Sequence, residues 1–514
     1  MPVAAPVFTT PASIAPNAAA PLAPTLGFET DVPTRATVVI ADGTRSFEVA
    51  FPDLATDHLH LLLGFRPGRD HTVTVRATRA EGTSITSAPL AFRTAPLPTG
   101  FPPITLQLRN AAAMEPGVTL FPLDSNPLNF HYLVFIDDQA EVVWYAKVPH
   151  AGDTRRAPNG NLVSIDGSFN LLEIDMRGRI VRRWHAGRLE PTTKPGDIHV
   201  AADTFHHDAA MLPSGNLLAL STELREIAGY PTDETDLEAP TETANVVGDR
   251  VIEFAPDGTM VGSWSMLDVV DPSRIGYTSL SGFWNGQYAG VAGATRDWSH
   301  GNAVVLDAAS DALVVSLRHQ DAVVKVRRAT GELVWILGNH DNWRAPWSAK
   351  LLTPLEGLSW QYHQHAAKVL PGGNILLYDN GNFRASPPAT RLPAEDNHSR
   401  AVEFAVNEAA MTVAQVWSYG GPADEIFYSP FICDADRLPV TGNVLITDGG
   451  RVVDGDGTPS DLPAAEGNHT WARLVEVTHT TPAVKVWEVQ IGNPDPDSES
   501  WTVYRSERLP GLYP

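Results

Sequence analysis

The side chains best suited to chemistry lie in a stretch of sequence that ends at Arg318. Two apolar runs, Val304–Leu306 and Leu313–Val315, flank a turn-like Asp-Ala-Ala-Ser-Asp segment and predict a β-hairpin. Folding the hairpin about this turn places His300 opposite Arg318. Asn302 should share the face of His300, because side chains alternate along a strand. One end of the hairpin therefore gathers an imidazole, a carboxamide and a guanidinium, which together suit an oxyanion.

Two further histidines occupy matching positions in other hairpins. His207 and His365 precede Pro-Ser-Gly-Asn and Pro-Gly-Gly-Asn turns, at the same offset from Leu212 and Leu370, respectively. His300 has nearly this offset in its looser hairpin. We therefore expect the three imidazoles to point into one end of a shared channel.

Three neighbours are weaker candidates. His206 should face the opposite side of its strand from His207, and so pack or orient. His363 has the same strand parity as His365, which makes it a possible second channel residue. Asn380 follows an Asp at a strand end and is expected to border the site.

The chemistry of this group leaves alternatives open. Three histidines without carboxylates are a ligand set for catalytic zinc, but an adjacent guanidinium opposes a metal because cation repels cation. We therefore expect no metal and no cofactor. Arginine and carboxamide donors suit the charge on a transferred sulfuryl or phosphoryl group, with one neutral imidazole as nucleophile and another moving a proton. The alternatives are a metal-dependent hydrolase of sulfate esters, phosphate esters or lactones, and a non-enzymatic protein that binds a ligand.

A repeated pattern predicts the scaffold that positions these residues. Short apolar strands ending in tryptophan recur at Trp144, Trp184, Trp264, Trp335, Trp417 and Trp487. Most follow a similar strand, and a Pro-x-Gly-Asn turn recurs before them. Each unit is a four-stranded antiparallel sheet, so the sequence predicts a six-bladed β-propeller over residues 97–514, with an open β-solenoid as the alternative.

The N-terminal part has a different pattern. Residues 22–96 contain alternating strands separated by turns and predict a small β-sandwich, similar to a fibronectin type III domain. The whole chain is thus expected to be all-β. Residues 1–21 are rich in Ala and Pro, without the basic start of a signal peptide, and predict a disordered or extended leader.

Composition limits the partners. The 514 residues carry a formal charge of −23, which argues against nucleic acid or an anionic membrane surface. No apolar run is long enough to span a bilayer. The single cysteine, Cys433, excludes an intramolecular disulfide and fits the cytoplasm without excluding the periplasm. A homo-oligomer is possible.

Several motifs resemble the bacterial arylsulfate sulfotransferases that do not use a nucleotide sulfate donor. The quoted motifs are Phe-His-His-Asp from Phe205, Asp-Trp-Ser-His-Gly-Asn from Asp297, Ser-Leu-Arg-His from Ser316 and Gln-His-Ala-Ala from Gln364. The similarity runs from about Phe101 onward. It implies an N-terminal β-sandwich, a six-bladed propeller, a periplasmic location, and ping-pong transfer from an aryl sulfate to a phenol through a sulfohistidine.

The resemblance also implies roles for individual residues. His365 would accept the sulfuryl group, although His363 leaves the Gln-His alignment open by two residues. His300, Asn302 and Arg318 would bind the sulfuryl oxygens. His207 would be a further active-site histidine, and either His207 or His300 would move the phenol proton.

This chain departs from the family in two places. Ala303 replaces a serine that commonly follows the asparagine. A disulfide near the active site, which some relatives have, cannot form here.

Overall fold

The computed structural model describes residues 4–513 and is all-β, with seven sheets. The two α-helices are short, α1 (Met266–Val269) and α2 (Asn285–Tyr288). Short 3-10 helices occupy Arg318–Gln320, Trp347–Lys350 and Ala394–Asp396. Within the described residues, no helix has the length and apolar character needed to cross a bilayer.

The first sheet lies at the N terminus. Its strands are β1 (Phe8–Ala15), β2 (Thr25–Ala41), β3 (Ser46–Leu61), β4 (Asp70–Arg79), β5 (Ser84–Thr86) and β6 (Leu90–Arg93). The pairing order is β1-β2-β4-β5, with β3 on β2 and β6 on β4. Strand β1 lies in the predicted leader and pairs with β2, so this part of the leader is extended and ordered by backbone hydrogen bonds. Residues 1–3 of the leader lie outside the described residues.

Six further sheets follow, numbered here in chain order. After β7 (Ile104–Arg109), sheet 2 contains β8 (Val118–Ser125), β9 (Phe130–Ile136) and β10 (Val142–Lys147). Sheet 3 contains β11 (Thr154–Arg156), β12 (Leu162–Asp166), β13 (Asn170–Ile174), β14 (Ile180–Ala186) and β15 (Ile198–Val200). Sheet 4 contains β16 (His206–Met211), β17 (Leu217–Tyr230), β18 (Glu242–Phe254), β19 (Met260–Ser265) and β20 (Thr295–Asp297).

The remaining strands complete the chain. Sheet 5 contains β21 (Gly301–Asp307), β22 (Ala312–Leu317), β23 (Ala322–Arg327) and β24 (Leu333–Gly338). Sheet 6 contains β25 (Thr353–Pro354), β26 (His365–Val369), β27 (Ile375–Asp379), β28 (Arg400–Asn407) and β29 (Thr412–Tyr419). Sheet 7 contains β30 (Asp434–Arg437), β31 (Val444–Val453), β32 (His469–Val477) and β33 (Lys485–Ile491), and β34 (Glu507–Leu509) ends the series.

The two ends of this region are paired into sheets distant in sequence. Strand β34 pairs with β8 and completes sheet 2, while β7 pairs with β33 and completes sheet 7. Both pairings are antiparallel. The first strand of this region therefore completes the last sheet, and the last strand completes the first of the six sheets, in both cases through backbone hydrogen bonds.

The repeated tryptophans link each of the six sheets to the next. Each indole N–H donates to an oxygen of the following sheet, in the segment that joins its third and fourth antiparallel strands. The pairs are Trp144 with Met176, Trp184 with Pro256, Trp264 with Arg328, Trp335 with Glu408, Trp417 with Thr480, and Trp487 with Asp138. The last pair joins sheet 7 to sheet 2, so the contacts form a closed cycle. A buried indole needs such a partner for its donor, which explains why the sequence repeats this residue.

Candidate active site

The structure brings the repeat-equivalent histidines to the starts of neighbouring first strands. His207 lies in β16, His300 immediately precedes β21, and His365 begins β26. Strand β16 contacts β21, and β21 contacts β26. The rings of His207 and His300 meet edge to face, with centroids 4.7 Å apart. Three consecutive sheets therefore deliver imidazoles to one region.

A β-bulge interrupts each of these strand starts. The breaks in register fall between His206 and Ala209, between Gly301 and Ala303, and between His365 and Lys368. The backbone is left-handed at His207 (φ +55°) and His300 (φ +45°). Bulges redirect side chains and end simple alternation. This corrects the prediction for His206, whose Nδ1 lies 2.9 Å from Nδ1 of His207 instead of facing away.

Asn380 fixes the orientation of His365. Its Oδ1 lies 2.7 Å from Nδ1 of His365, and its Nδ2 donates to the carbonyls of Ser429 (2.8 Å) and Ile432 (3.2 Å). Since Nδ2 is engaged with acceptors, Oδ1 accepts a proton from His365 Nδ1. The neutral ring then carries its lone pair on Nε2, the form a nucleophilic imidazole requires.

His363 is held differently. It is fully buried, with Nδ1 3.0 Å from Oδ1 of Asp321 and Nε2 3.1 Å from the carbonyl of Tyr277. Both ring nitrogens are thus occupied by protein partners. His365 differs from His363, because Nε2 of His365 makes no hydrogen bond within the described residues.

A carboxylate orients His300. Asp297 Oδ2 lies 2.5 Å from His300 Nδ1, and Asp297 Oδ1 accepts a 2.9 Å hydrogen bond from the Trp284 indole. The His300 ring also stacks on His319, with centroids 4.6 Å apart. Within the described residues, Nε2 of His300 makes no hydrogen bond. An imidazole anchored through Nδ1 and free at Nε2 is suited to move a proton.

Arg318 is a cation without a carboxylate partner. Its backbone N–H pairs with the His300 carbonyl at 3.4 Å, as the predicted hairpin requires. Its Nη2 donates to the Pro430 carbonyl at 3.0 Å, while its buried Nε has no hydrogen-bond partner. Within residues 4–513, no carboxylate oxygen lies within 4.0 Å of a guanidinium nitrogen of Arg318. Burial lowers the pKa of Arg318 to about 10, so it stays charged at neutral pH.

Arg505 differs from Arg318 because it has carboxylate partners within the protein. Arg505 Nη1 lies 3.5 Å from Asp153 and 3.4 Å from Asp208, and its Nη2 donates to the Asn302 carbonyl. Its charge is therefore compensated within the protein. For Arg318, a bound anion would supply the compensating charge.

Asn302 contacts the chain beside His365. Its side chain is fully buried, and Nδ2 donates to the Gln364 carbonyl at 2.7 Å. Its Oδ1 has no hydrogen-bond partner in the described part of the chain. The carboxamide thus braces the peptide that precedes His365, and one of its two N–H groups is already used.

Burial favours the neutral forms of His207 and His365. It is the largest cause that lowers the pKa of both His207 and His365 well below the ordinary value. The next causes are the nearby His300 for His207 and the Arg318 charge for His365. Neutral rings beside a fixed cation can offer lone pairs to an electrophile that carries anionic oxygens.

A cavity of about 270 Å³ opens beside this group. His206, His207 and Tyr504 contribute to its wall, and the Tyr504 hydroxyl is buried without a hydrogen-bond partner within the described residues. The ring centroids of Tyr504 and His207 are 6.3 Å apart. The cavity therefore gives a small molecule access to His206 and His207, whereas His300, Arg318 and His365 are not among its lining residues.

One set of atoms has the proximity of a metal site. Asp297, His300 and His319 each offer a ligand atom, and these atoms lie within 4.8 Å of one another. However, His300 Nδ1 and Asp297 Oδ2 are only 2.5 Å apart. Tetrahedral zinc ligands with bonds of about 2.0–2.1 Å are separated by roughly 3.3 Å. The observed separation is that of a hydrogen bond.

Sequence reasoning missed several residues at this site. Asp297 lies three residues before His300 in the quoted motif, so the carboxylate partner could have been found from that spacing. His319 directly follows Arg318 in the quoted motif, and a 3-10 turn brings its ring onto His300. Tyr504 and Trp284 lie outside the repeats, and no local signal marks them.

Together, neutral imidazoles around an unpaired arginine on an all-β scaffold define a site for transferring an anionic group. Residues 106–505 match the Arylsulfotransferase (ASST) family, and the chain belongs to that family. It is 25% identical over 456 residues to the arylsulfate sulfotransferase AssT of Escherichia coli O6:H1, covering 77% of this chain and 68% of that protein.

Two other matches are more limited. The arylsulfate sulfotransferase AssT of Lelliottia amnigena is 25% identical over 382 residues, covering 63% of this chain and 58% of that protein. A solved mutant of the Synechocystis apocarotenoid oxygenase aligns with 80% of this chain and 97% of its own, at 8% identity and a TM-score of 0.33. That likeness is too small to support an argument.

Proposed function

We propose that this protein transfers a sulfuryl group from an aryl sulfate to a phenol by a ping-pong mechanism. The observation that carries the proposal is Arg318, a charged guanidinium without a carboxylate partner, next to histidines held neutral by burial. A tetrahedral sulfuryl group supplies anionic oxygens to the cation and an electrophilic sulfur to an imidazole. Arginine provides a planar fork of donors that suits such oxygens.

In the first half-reaction, His365 acts as the nucleophile. The lone pair on its Nε2 forms a bond to sulfur while the bond between sulfur and the aryl oxygen breaks. The proton on Nδ1 remains hydrogen-bonded to Asn380, which stabilises the positive charge that develops on the ring. The departing phenolate takes a proton from His300 in its protonated form, which Asp297 stabilises, and that ring becomes neutral.

The second half-reaction reverses these bonds. The oxygen of an acceptor phenol attacks sulfur as its proton passes to His300, which restores the protonated ring, and the nitrogen–sulfur bond to His365 breaks. Asp297 supports this exchange at His300 because it stabilises the protonated ring. Arg318 stabilises the sulfuryl oxygens in both steps, with Asn302 contributing its remaining N–H.

The scaffold proposed for this chemistry is a six-bladed β-propeller over residues 97–514. The cyclic tryptophan contacts support it, as do the pairings of β34 with β8 and of β7 with β33. Residues 22–96 would form the separate N-terminal β-sandwich, preceded by the leader of residues 1–21. Small-angle scattering of the full chain would distinguish a closed ring from an extended solenoid.

Intact mass measurement tests the reaction itself. Mixing the protein with 4-nitrophenyl sulfate should add the mass of one SO₃ group, and adding phenol should remove it. Peptide mapping should place the added group on His365. Release of inorganic sulfate without any labelled protein would instead indicate a hydrolase.

A further inference from the structure

An insertion between β19 and β20 of sheet 4 places aromatic side chains at the histidine group. Trp284 is 2% exposed; its indole is anchored on Asp297, and its ring lies 5.1 Å from that of His206. The neighbouring Phe283 is 55% exposed, although its ring packs 5.0 Å from Trp284 and 4.8 Å from His300. Phe283 is therefore held in place and still presents apolar surface to solvent.

This exposed ring forms part of the wall of the 270 Å³ cavity. Trp284, Phe431 and Ile165 supply further apolar surface there. A cavity of about 150 Å³ is sufficient for benzene, so the space accommodates an aryl group of one or two rings. Aromatic rings favour edge-to-face and offset contacts with one another, which Phe283 can provide.

The polar part of the wall carries negative charge. Asp124, His150 and Asp153 line it; Asp153 is paired with Arg155 and Arg505, whereas Asp124 forms no salt bridge with a Lys or Arg of the described chain. Asp124 accepts from His131 through Oδ1 at 2.6 Å, while its Oδ2 makes no hydrogen bond within residues 4–513. A ring substituent with a negative charge would meet this carboxylate without a compensating cation.

We infer that this cavity binds the aryl group of the substrate against Phe283, and that Asp124 selects against phenols with an anionic ring substituent. The inference rests on the proposed sulfuryl transfer and adds its specificity. Sulfuryl charge is bound at Arg318, whereas the rest of the substrate enters an apolar and acidic cavity. The site therefore binds the negative charge of the sulfuryl group at Arg318, and Asp124 repels a second negative charge on the ring.

Kinetics of the full-length protein test both parts. Phe283→Ala should raise KM for 4-nitrophenyl sulfate roughly three- to tenfold, with a smaller change in kcat, because the lost aromatic contact acts on binding. Phe283→Tyr should restore KM. Leu355→Ala removes another exposed apolar side chain, 50% exposed and outside the cavity lining, and serves as the control.

The charge effect is measured as a ratio. Wild-type protein should have a higher kcat/KM for phenol than for 4-hydroxybenzoate as acceptor, and Asp124→Asn should reduce that ratio at least threefold. An unchanged ratio, or equal KM values for Phe283→Ala and the Leu355→Ala control, would overturn the inference.

Calorimetric binding of 2-naphthol separates this inference from the proposed function. Weaker binding to Phe283→Ala, in a protein that is never labelled by aryl sulfate, would retain the aryl site and reject sulfuryl transfer. If His365 is labelled and 2-naphthol binds Phe283→Ala as tightly as the wild type, sulfuryl transfer is retained and the aryl site is rejected.

Discussion

Nδ1 of His365 lies 2.7 Å from Oδ1 of Asn380, and this one contact sets which nitrogen of the proposed nucleophile is free. Asn380→Ala would allow either tautomer of His365, so part of the population would present a protonated Nε2 to the substrate. We expect single-turnover labelling to slow by about 10–100-fold, the usual range for loss of a residue that orients a functional histidine. Stopped-flow release of 4-nitrophenol measures this rate; an unchanged rate would show that the contact does not control the tautomer.

The two histidines of the Gln-His motif should respond differently to substitution. His365→Ala should abolish the gain of SO₃ mass. His363→Gln should lower the free energy of unfolding by about 1–3 kcal/mol, because it disturbs a buried partner of Asp321, while labelling still occurs. Denaturant unfolding and intact mass measured on both variants separate these effects. Labelling that disappears in the His363 variant and persists in the His365 variant would reverse the assignment.

We expect Arg318 to lower the free energy of unfolding of the protein and to be necessary for its activity. Arg318→Gln removes a partly buried cation that lacks an anionic partner, so we expect the free energy of unfolding to rise by up to about 1 kcal/mol. We expect kcat to fall about 10²–10³-fold, as for loss of one preorganised donor. Inorganic sulfate should raise the Tm of the wild type and leave that of the variant unchanged.

Arg505→Gln is the matched control for this experiment. Arg505 is paired with Asp153 and Asp208, so its removal leaves these two buried carboxylates with Arg155 as their remaining cation and should lower the Tm. If both arginine variants lose stability equally, the charge of Arg318 is compensated in a way that its contacts do not indicate.

The pH dependence follows from the depressed pKa values of His207 and His365. Burial lowers both, so these rings remain neutral as the pH falls through the ordinary histidine pKa of about 6.5. The rate of the first half-reaction should therefore stay constant between pH 7.5 and 6 and fall only at lower pH. Below about pH 6.5 the unfolded chain binds more protons than the folded one, so stability should decrease with falling pH. A rate that halves near pH 6.5 would contradict the neutral assignment.

Metal removal separates transfer from metal-dependent hydrolysis. Because Asp297 and His300 are at hydrogen-bond distance, dialysis against a chelator should leave sulfuryl transfer intact. Asp297→Asn should slow transfer about 10–100-fold by releasing the His300 ring. Stoichiometric zinc, with activity lost on chelation and restored by zinc, would instead support the hydrolase.

Much of the strand arrangement could be predicted from the sequence, because the patterns that mark strands and turns are local. Tryptophans at strand ends and Pro-x-Gly-Asn turns mark the six repeats, and each of these tryptophans does lie in the fourth antiparallel strand of a unit. Strand β34 is different: three residues long, it gives no periodic signal and is recognised only through its pairing with β8. A repeated sequence pattern predicts the strands within each repeat, but it does not predict which distant segment completes a sheet.

By itself, the sequence determined that His207, His300 and His365 occupy equivalent positions in consecutive repeats, and that Arg318 lies opposite His300. Those relationships depend on residue spacing within hairpins. Only the tertiary structure decided which atoms meet, because bulges break the alternation on which spacing arguments depend. It turned His206 toward His207, left Arg318 without a carboxylate, and brought Phe283 to the site from an insertion. Such contacts depend on segments far apart in the chain, and their free energy is set by burial and partners that no local pattern encodes.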